Sequence, residues 1–189
     1  MAGRISLGRR GGRAVVVLAT AAYITGMGVV GAPPGNTIGG SCNGRLATAS
    51  NGVMMDASHE HGPVIIEGSD DADVIIGSKG DDTIHGNGGE DTICGGHGAD
   101  DIFGGDDADA IFGEGGDDTL RGDFGNDLIS GGRGNDNMVG GDDNDQLYGN
   151  KGDDLLNGVD AGGEDKLSGG DGRNLCFVDA SDEPEDCKF

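Results

Sequence analysis

The sequence contains a nine-residue repeat that keeps its phase from Gly68 to Asn157, without insertion or deletion. Each of ten consecutive units has glycine at its first place, aspartate at its sixth, and Ile, Leu or Met at its eighth. A single unit is too short to bury a core, so a repeat at fixed period predicts a fold built by stacking units. The sixth-place aspartates are Asp73, Asp82, Asp91, Asp100, Asp109, Asp118, Asp127, Asp136, Asp145 and Asp154.

The composition is acidic and rich in glycine. Glycine accounts for 42 of 189 residues, there is no tryptophan, and the formal net charge is −23. Residues 1–32 contain four arginines and no acid, so the remainder carries a net charge of −27. This charge repels nucleic acids and anionic membranes, which predicts no nucleic-acid partner and no membrane contact beyond the amino-terminal segment. A disordered acidic chain is the competing interpretation. The aliphatic residue in every unit argues against it, because a solvated polyelectrolyte does not need one.

The repeat also predicts a geometry. The first six places of a unit favour turns, and glycine at the first and fourth places permits positive φ and close backbone approach. The last three places favour a strand whose middle residue, the eighth-place aliphatic, points inward. Two units then form one coil of 18 residues. Coils stack as parallel strands about 4.8 Å apart, with the turns of odd and even units on opposite edges.

The pattern G-G-x-G-x-D-x-U-x, where U is aliphatic, resembles the RTX, or hemolysin-type, calcium-binding repeat. The match is strict over residues 68–157 and looser over 68–177. Residues 158–168 resemble an eleventh unit with two extra residues and Asp165 in the aspartate place, and in 169–177 Asn174 takes that place. The resemblance implies an all-β, right-handed parallel β-roll. It also implies calcium ions between same-edge turns, held by sixth-place aspartates and turn carbonyl oxygens.

The predicted metal ligands are therefore the ten sixth-place aspartates and Asp165. Without a cation, same-edge neighbours such as Asp82 and Asp100 would lie about 5 Å apart and repel by about 3 kcal/mol at an effective dielectric of 20. Calcium suits an all-oxygen ligand set, whereas zinc and copper favour His or Cys clusters, which the repeats lack. Ten units give gaps for about eight ions, so we expect the roll to fold on binding calcium.

Other acids in the turns have separate explanations. Asp71, Asp107 and Asp143 replace the fourth-place glycine. They either adopt left-handed φ, which aspartate tolerates, or add a ligand oxygen. The fifth-place acids are not positioned by the pattern as ligands, and we interpret them as solvated charge. They are Asp81, Glu90, Asp117 and Asp153.

The amino terminus predicts export. Four arginines precede the uncharged run 14–32, which is typical of a cleaved signal peptide over residues 1–32. An uncleaved membrane anchor is the alternative, and both place the rest of the chain outside the cell. Residues 33–67 are predicted to be a linker or N-terminal cap, in which 62–67 are apolar enough for a lead-in strand. Residues 68–177 form the predicted roll, and 178–189 a C-terminal cap or tail.

Four cysteines in an exported chain favour disulfides. Of the three pairings, we favour Cys176 with Cys187, which are close in sequence, and Cys42 with Cys94; free buried thiols are the alternative. Residues 59–61 (His-Glu-His) form either a transition-metal clip or, as we favour, a solvated linker.

The sequence contains no nucleophile-elbow, zinc-protease or P-loop motif. The segments outside the repeats are too short for a catalytic domain. We therefore expect no enzymatic activity and a secreted calcium-binding protein with a structural or interaction role. Its protein or surface partner is not identified by the sequence. The alternatives are an ice- or surface-binding β-solenoid and the remnant of an RTX hydrolase or toxin.

Overall fold

The computed structural model describes the backbone of residues 3–8, 13–18, 41–42, 45–46, 54–160 and 163–188, and the side chains of 55–160 and 163–188. These residues form strands, turns and bends. Within them, no helix is long and apolar enough to cross a membrane.

The strands are short and follow one another at nine-residue intervals through the repeats. In chain order they are β1 (Gly3–Gly8), β2 (Arg13–Leu18), β3 (Ser41–Cys42), β4 (Arg45–Leu46), β5 (Met54–Asp56), β6 (Ile65–Glu67), β7 (Val74–Ile76), β8 (Thr83–Gly88), β9 (Thr92–His97), β10 (Asp101–Asp106), β11 (Ala110–Gly115), β12 (Thr119–Phe124), β13 (Leu128–Arg133), β14 (Asn137–Asp142), β15 (Gln146–Lys151), β16 (Leu155–Asn157), β17 (Lys166–Ser168), β18 (Leu175–Phe177) and β19 (Glu183–Glu185).

From β5 onward, successive strands alternate between two parallel sheets. One sheet has the order β6-β8-β10-β12-β14-β16-β18, and the other has the order β5-β7-β9-β11-β13-β15-β17-β19. Ile102 lies opposite Leu120 in the first sheet, and Ile111 lies opposite Ile129 in the second, so one coil is 18 residues. The prediction of an all-β parallel β-roll with two units per coil is confirmed.

The first sheet also includes the hairpin of β1 and β2, because β2 pairs with β6 in the antiparallel direction. Strand β2 lies in the segment predicted to be an export signal or anchor, and that assignment stays a prediction. Strands β5, β6 and β19 join the same two sheets. The stack of strands therefore begins before residue 68 and continues beyond residue 177.

The central strands are longer than the repeat pattern predicts. Strand β10, for example, covers the last three places of one unit and the first three of the next. Its Gly105 lies opposite Asn87 of the preceding coil and Asp123 of the following one. Since these glycine-rich positions also pair with neighbouring coils, the ladder continues into what was predicted to be turn. The turn itself therefore covers only the fourth, fifth and sixth places of each central unit.

The core is a file of eighth-place side chains between the two sheets, as predicted. All ten have a relative exposure of 0%. The residues are Ile75, Ile84, Ile93, Ile102, Ile111, Leu120, Ile129, Met138, Leu147 and Leu156. Met55 and Ile66 extend the file before the repeats, and Leu167 and Cys176 extend it after them. Each coil therefore contributes only two fully buried aliphatic side chains, which is a thin core for an 18-residue coil.

A disulfide secures the carboxyl-terminal end of the stack. Cys176 in β18 is bonded to Cys187, with a Cα–Cα distance of 5.6 Å, as predicted. Cys94 is buried and also disulfide-bonded. Its predicted partner, Cys42, lies where side chains are not described, although β3 packs beside β9.

Candidate metal centre

The sixth-place aspartates lie inside the turns with little exposure. Asp100, Asp118 and Asp127 are each 1% exposed, and Asp165 of the eleventh unit is 0% exposed. One carboxylate oxygen, Oδ1, accepts the backbone N–H of the aspartate one coil earlier. Asp109 donates to Asp127 at 2.7 Å, and Asp136 donates to Asp154 at 2.9 Å. This bond repeats along both edges, so each aspartate links two coils.

The second carboxylate oxygen, Oδ2, has no such partner. In nine aspartates of the described residues, it is buried and makes no hydrogen bond. A buried oxygen left without a partner costs about 1–3 kcal/mol, and more if it is charged. These turns therefore require either a proton on the carboxyl group or a cation beside it. The nine residues are Asp91, Asp100, Asp109, Asp118, Asp127, Asp136, Asp145, Asp154 and Asp165.

The first-place glycine makes room for this oxygen. A Cβ atom on Gly113 would lie 2.3 Å from Oδ2 of Asp118, and one on Gly104 would lie 2.3 Å from Oδ2 of Asp109. Neither glycine has a positive φ, so the first place needs glycine for close approach alone. The close approach predicted for this place is therefore present, and the positive φ that glycine permits is not used there.

From the third unit to the tenth, positive φ occurs at the fourth place, where the repeat pattern allowed it, and also at the second place. In the sixth unit, Glu114 has φ of 70° and Gly116 has φ of 148°. Asp107 and Asp143, which replace the fourth-place glycine, have φ of 78° and 83°. Their side chains and that of Asp71 are exposed, and Asp71 is not left-handed. For Asp107 and Asp143, the structure favours the backbone explanation over the extra ligand.

Burial shifts the titration of the turn carboxyls. Desolvation raises the pKa of Asp100 and Asp109 to about 8, although the N–H bond to each lowers it. It raises the pKa of Asp91 and Asp136 to about 7. Repulsion from same-edge carboxylates acts in the same direction, as from Asp82 and Asp118 on Asp100. Without a cation, these groups therefore hold protons near neutral pH.

The turns at the two ends satisfy their carboxyl or amide groups internally. Oδ2 of Asp73 accepts the N–H of Ser69 at 2.7 Å, and Oδ2 of Asp82 accepts the N–H of Ser78 at 2.5 Å. In the twelfth unit, Oδ1 of Asn174 accepts the N–H of Asp154, and its Nδ2 donates to the carbonyl of Gly170 at 3.1 Å. Asp73 and Asp82, which belong to the predicted ligand set, thus differ from the other nine aspartates.

The available donors indicate the kind of cation. Among residues 55–160 and 163–188, no three His, Cys, Asp or Glu side chains converge on one point. A cation beside a bare Oδ2 would therefore complete its shell with backbone carbonyl and water oxygens. Calcium accepts six to eight oxygens in flexible geometry, so this donor set fits calcium and not zinc. Residues 59–61 lie between β5 and β6, and among the described residues they form no three-ligand cluster.

The fifth-place side chains form a ladder that the sequence interpretation missed. Oδ1 of Asp117 accepts the N–H of Asn135 at 2.8 Å, and Oδ1 of Asn135 accepts the N–H of Asp153 at 2.9 Å. Asp153 then accepts the N–H of Arg173 and forms an ion pair with its guanidinium at 2.7 Å. The signal was present, since Asp or Asn recurs at fifth places 18 residues apart.

A comparison of the sequence with known protein families agrees with this arrangement. The family model described as the RTX calcium-binding nonapeptide repeat (4 copies) matches residues 67–102, 95–129 and 130–160. No curated protein and no solved structure matches the chain. The matched segments contain eight of the nine aspartates with a bare Oδ2 and end just before Asp165. This chain belongs to the RTX calcium-binding repeat family, as its matched repeats, its 18-residue coil and its buried aspartates show.

Proposed function

We propose that this protein binds Ca²⁺ at the bare Oδ2 atoms of its buried aspartates and that the roll orders only when these ions are bound. The supporting observation is that nine successive turns each bury a carboxylate oxygen that has no hydrogen-bond partner. Each calcium ion would supply the positive charge that the turn lacks, and the backbone would supply neutral carbonyl oxygens.

The positions of the bare oxygens give a stoichiometry. One edge carries five such aspartates, from Asp91 to Asp165, and the other carries four, from Asp100 to Asp154. One ion between each pair of same-edge neighbours gives seven ions. Seven ions is one fewer than the eight ions predicted from the spacing of the repeats. The gaps beside Asp73 and Asp82 are removed because serine already bonds those carboxylates, and the gap beside Asp165 is added.

Charge and energy both favour folding coupled to calcium. Residues 33–189 carry a net charge of −27, and seven divalent ions would neutralise about half of it. If each site had a dissociation constant of about 10⁻⁴ M, seven sites at about 1 mM calcium would contribute roughly 10 kcal/mol. That equals the whole stability of many small domains. The single file of core side chains is too thin to replace this contribution.

We further propose that the protein is exported and acts outside the cell as a calcium-stabilised structural or interaction module without enzymatic activity. The arginines and the uncharged run at the amino terminus support export, and the Cys176–Cys187 disulfide suits an oxidising compartment. Amino-terminal sequencing of protein recovered from the medium of an expressing bacterium tests this proposal. A mature chain starting near residue 33 supports export, and protein found only inside the cell contradicts it.

Far-ultraviolet circular dichroism of the full chain tests the calcium proposal. We expect a disordered spectrum after divalent ions are stripped at pH 7.5 and a strand spectrum after calcium is added. Magnesium at the same concentration is the control, because it prefers smaller octahedral sites and should restore little structure. A strand spectrum that persists unchanged after stripping would overturn the proposal.

A further inference from the structure

The second place of each unit is not described by the family pattern as a ligand, yet it divides the turns into two kinds. We propose that the residue at this place determines whether a turn binds calcium, and that Ser69 and Ser78 make the first two turns independent of the metal. This inference rests on the calcium sites proposed above and assigns a specificity-determining residue within each of them.

The second unit shows how serine satisfies its own aspartate. The backbone N–H of Ser78 donates to Oδ2 of Asp82 at 2.5 Å. The Ser78 hydroxyl can donate to Oδ1 of Asp82 or to the carbonyl oxygen of Gly62, each of which lies 2.9 Å away. The same hydroxyl oxygen accepts the N–H of Gly80 at 3.0 Å, which is a serine turn. In the first unit, the Ser69 N–H donates to Oδ2 of Asp73, its hydroxyl lies within hydrogen-bond distance of both Asp73 carboxylate oxygens, and its hydroxyl oxygen accepts the N–H of Asp71. In both turns, the place next to Oδ2 is filled by donors from the chain.

The following units orient the second-place peptide differently. Asn87 has φ of 79°, Asp123 has φ of 78° and Asn150 has φ of 72°, whereas neither Ser69 nor Ser78 has a positive φ. The second place is left-handed in every unit from the third to the tenth. The first bare Oδ2 belongs to Asp91, in the unit where asparagine replaces serine at the second place. The change in backbone and the loss of the donor therefore coincide.

The first coil then differs from the coils that stack on it. Its aspartates Asp73 and Asp82 still bond the next coil, since Asp73 donates its N–H to Oδ1 of Asp91 at 2.7 Å. Asp82 donates its N–H to Oδ1 of Asp100 at 2.8 Å. This coil offers a complete set of edge hydrogen bonds without an ion. It can therefore serve as the template on which the calcium-dependent coils order.

Counting ions by native mass spectrometry tests the assignment in the full chain. The double variant Ser69→Asn/Ser78→Asn gives the first two turns the second-place residue of the third unit. We expect it to bind two more calcium ions than the wild type, one in the gap beside Asp73 and one beside Asp82. The control is Ser168→Asn, the same change at a serine on the strand β17, which should leave the count unchanged. An unchanged count in the double variant overturns this inference.

The two proposals fail in different ways. If the wild type binds no calcium, the proposed function fails; if it binds calcium but the double variant gains none, only this inference fails. Hydrogen exchange of the calcium-free wild type gives a second test that needs no variant. Peptides within 64–84 should exchange about tenfold more slowly than peptides within 104–150, and equal exchange of the two regions contradicts the inference.

Discussion

The backbone N–H of Asp100 donates to Oδ1 of Asp118, one coil along the stack, at 2.9 Å. This bond gives the aspartate a task that does not involve metal, because it joins neighbouring turns along the edge. It also fixes the carboxylate so that Oδ2 lies inside the turn without a partner. One side chain thus both links the coils and creates the requirement that we assign to calcium.

Adjacent aspartates in one unit should respond differently to the same substitution. Asp118→Asn keeps an oxygen for the N–H of Asp100 but replaces the bare Oδ2 with an amide nitrogen, which cannot bind a cation. We expect the calcium concentration at the midpoint of the dichroism transition to rise at least about tenfold, equivalent to about 1.4 kcal/mol. The control Asp117→Asn retains the oxygen that accepts the N–H of Asn135, so its midpoint should match the wild type. Equal midpoints for the two variants would contradict the role given to Oδ2.

Two glycines of the sixth unit should differ in how much stability is lost when each is replaced by alanine. A methyl group on Gly113 would lie 2.3 Å from Oδ2 of Asp118 and 2.6 Å from the carbonyl of Gly131. We expect Gly113→Ala to lower the free energy of unfolding by about 3 kcal/mol or more. A methyl group on Gly115 meets only His97 Nδ1, at 3.6 Å, and Gly115 has no positive φ, so Gly115→Ala should cost under about 1 kcal/mol. Urea unfolding in saturating calcium measures both, and similar losses would refute the close-approach explanation.

Stability without calcium should decrease as the pH rises. Burial raises the pKa of Asp118 to about 6, of Asp91 to about 7 and of Asp109 to about 8, above the ordinary value of 3.8. Between about pH 4 and pH 8, the folded roll therefore binds more protons than the unfolded chain, and each added unit of pH favours unfolding. We expect resin-stripped protein to show more strand signal at pH 4.5 than at pH 8.

Calcium should reverse this dependence, because it displaces the protons that the buried carboxyls hold. Calcium affinity should thus rise from pH 5.5 to pH 7.5, which calorimetry at the two values can measure. A metal-free strand signal that grows with pH, or an affinity that falls with it, would contradict the assignment of these carboxyls.

The disulfide between Cys176 and Cys187 should stabilise the carboxyl-terminal end. Closing a loop over a sequence separation of 11 residues contributes about 3 kcal/mol in the chain-entropy description. We expect Cys176→Ser/Cys187→Ser to speed hydrogen exchange in β17 and β18 while leaving β10 and β11 unchanged in saturating calcium. Uniformly faster exchange along the whole roll would instead show that the end and the centre unfold together.

The sequence predicted the stacking accurately because the stacking depends on a strict period. The 18-residue coil and the inward file of Ile, Leu and Met side chains follow from the phase of the repeat, whereas Asp165 takes the aspartate place after a two-residue insertion. Phase does not specify which backbone N–H each side chain meets. The ladder from Asp117 to Asn135 depends on turn geometry, which several sequences share and which the repeat pattern leaves open.

The differences at the ends of the roll have a similar origin. Asp73 and Asp82 fit the motif as well as Asp91 does, and they are distinguished by the hydrogen bonds and the backbone conformation of Ser69 and Ser78. The positive φ at the second place was also missed, although Gly, Asn or Asp occupies that place in seven of the eight units from the third to the tenth. Only Glu114 is a residue type that rarely adopts left-handed backbone. A motif describes the shared turn, whereas these features arise from residues that vary between units.

The central claim is that calcium ions fill the columns of bare Oδ2 atoms, and a count of bound ions tests it most directly. Native mass spectrometry of the folded chain, prepared in about 1 mM calcium as befits extracellular sites, would give that count. The account predicts seven tightly bound ions, one for each pair of same-edge aspartates with bare oxygens. A folded chain that retains its strands and carries no calcium would contradict it.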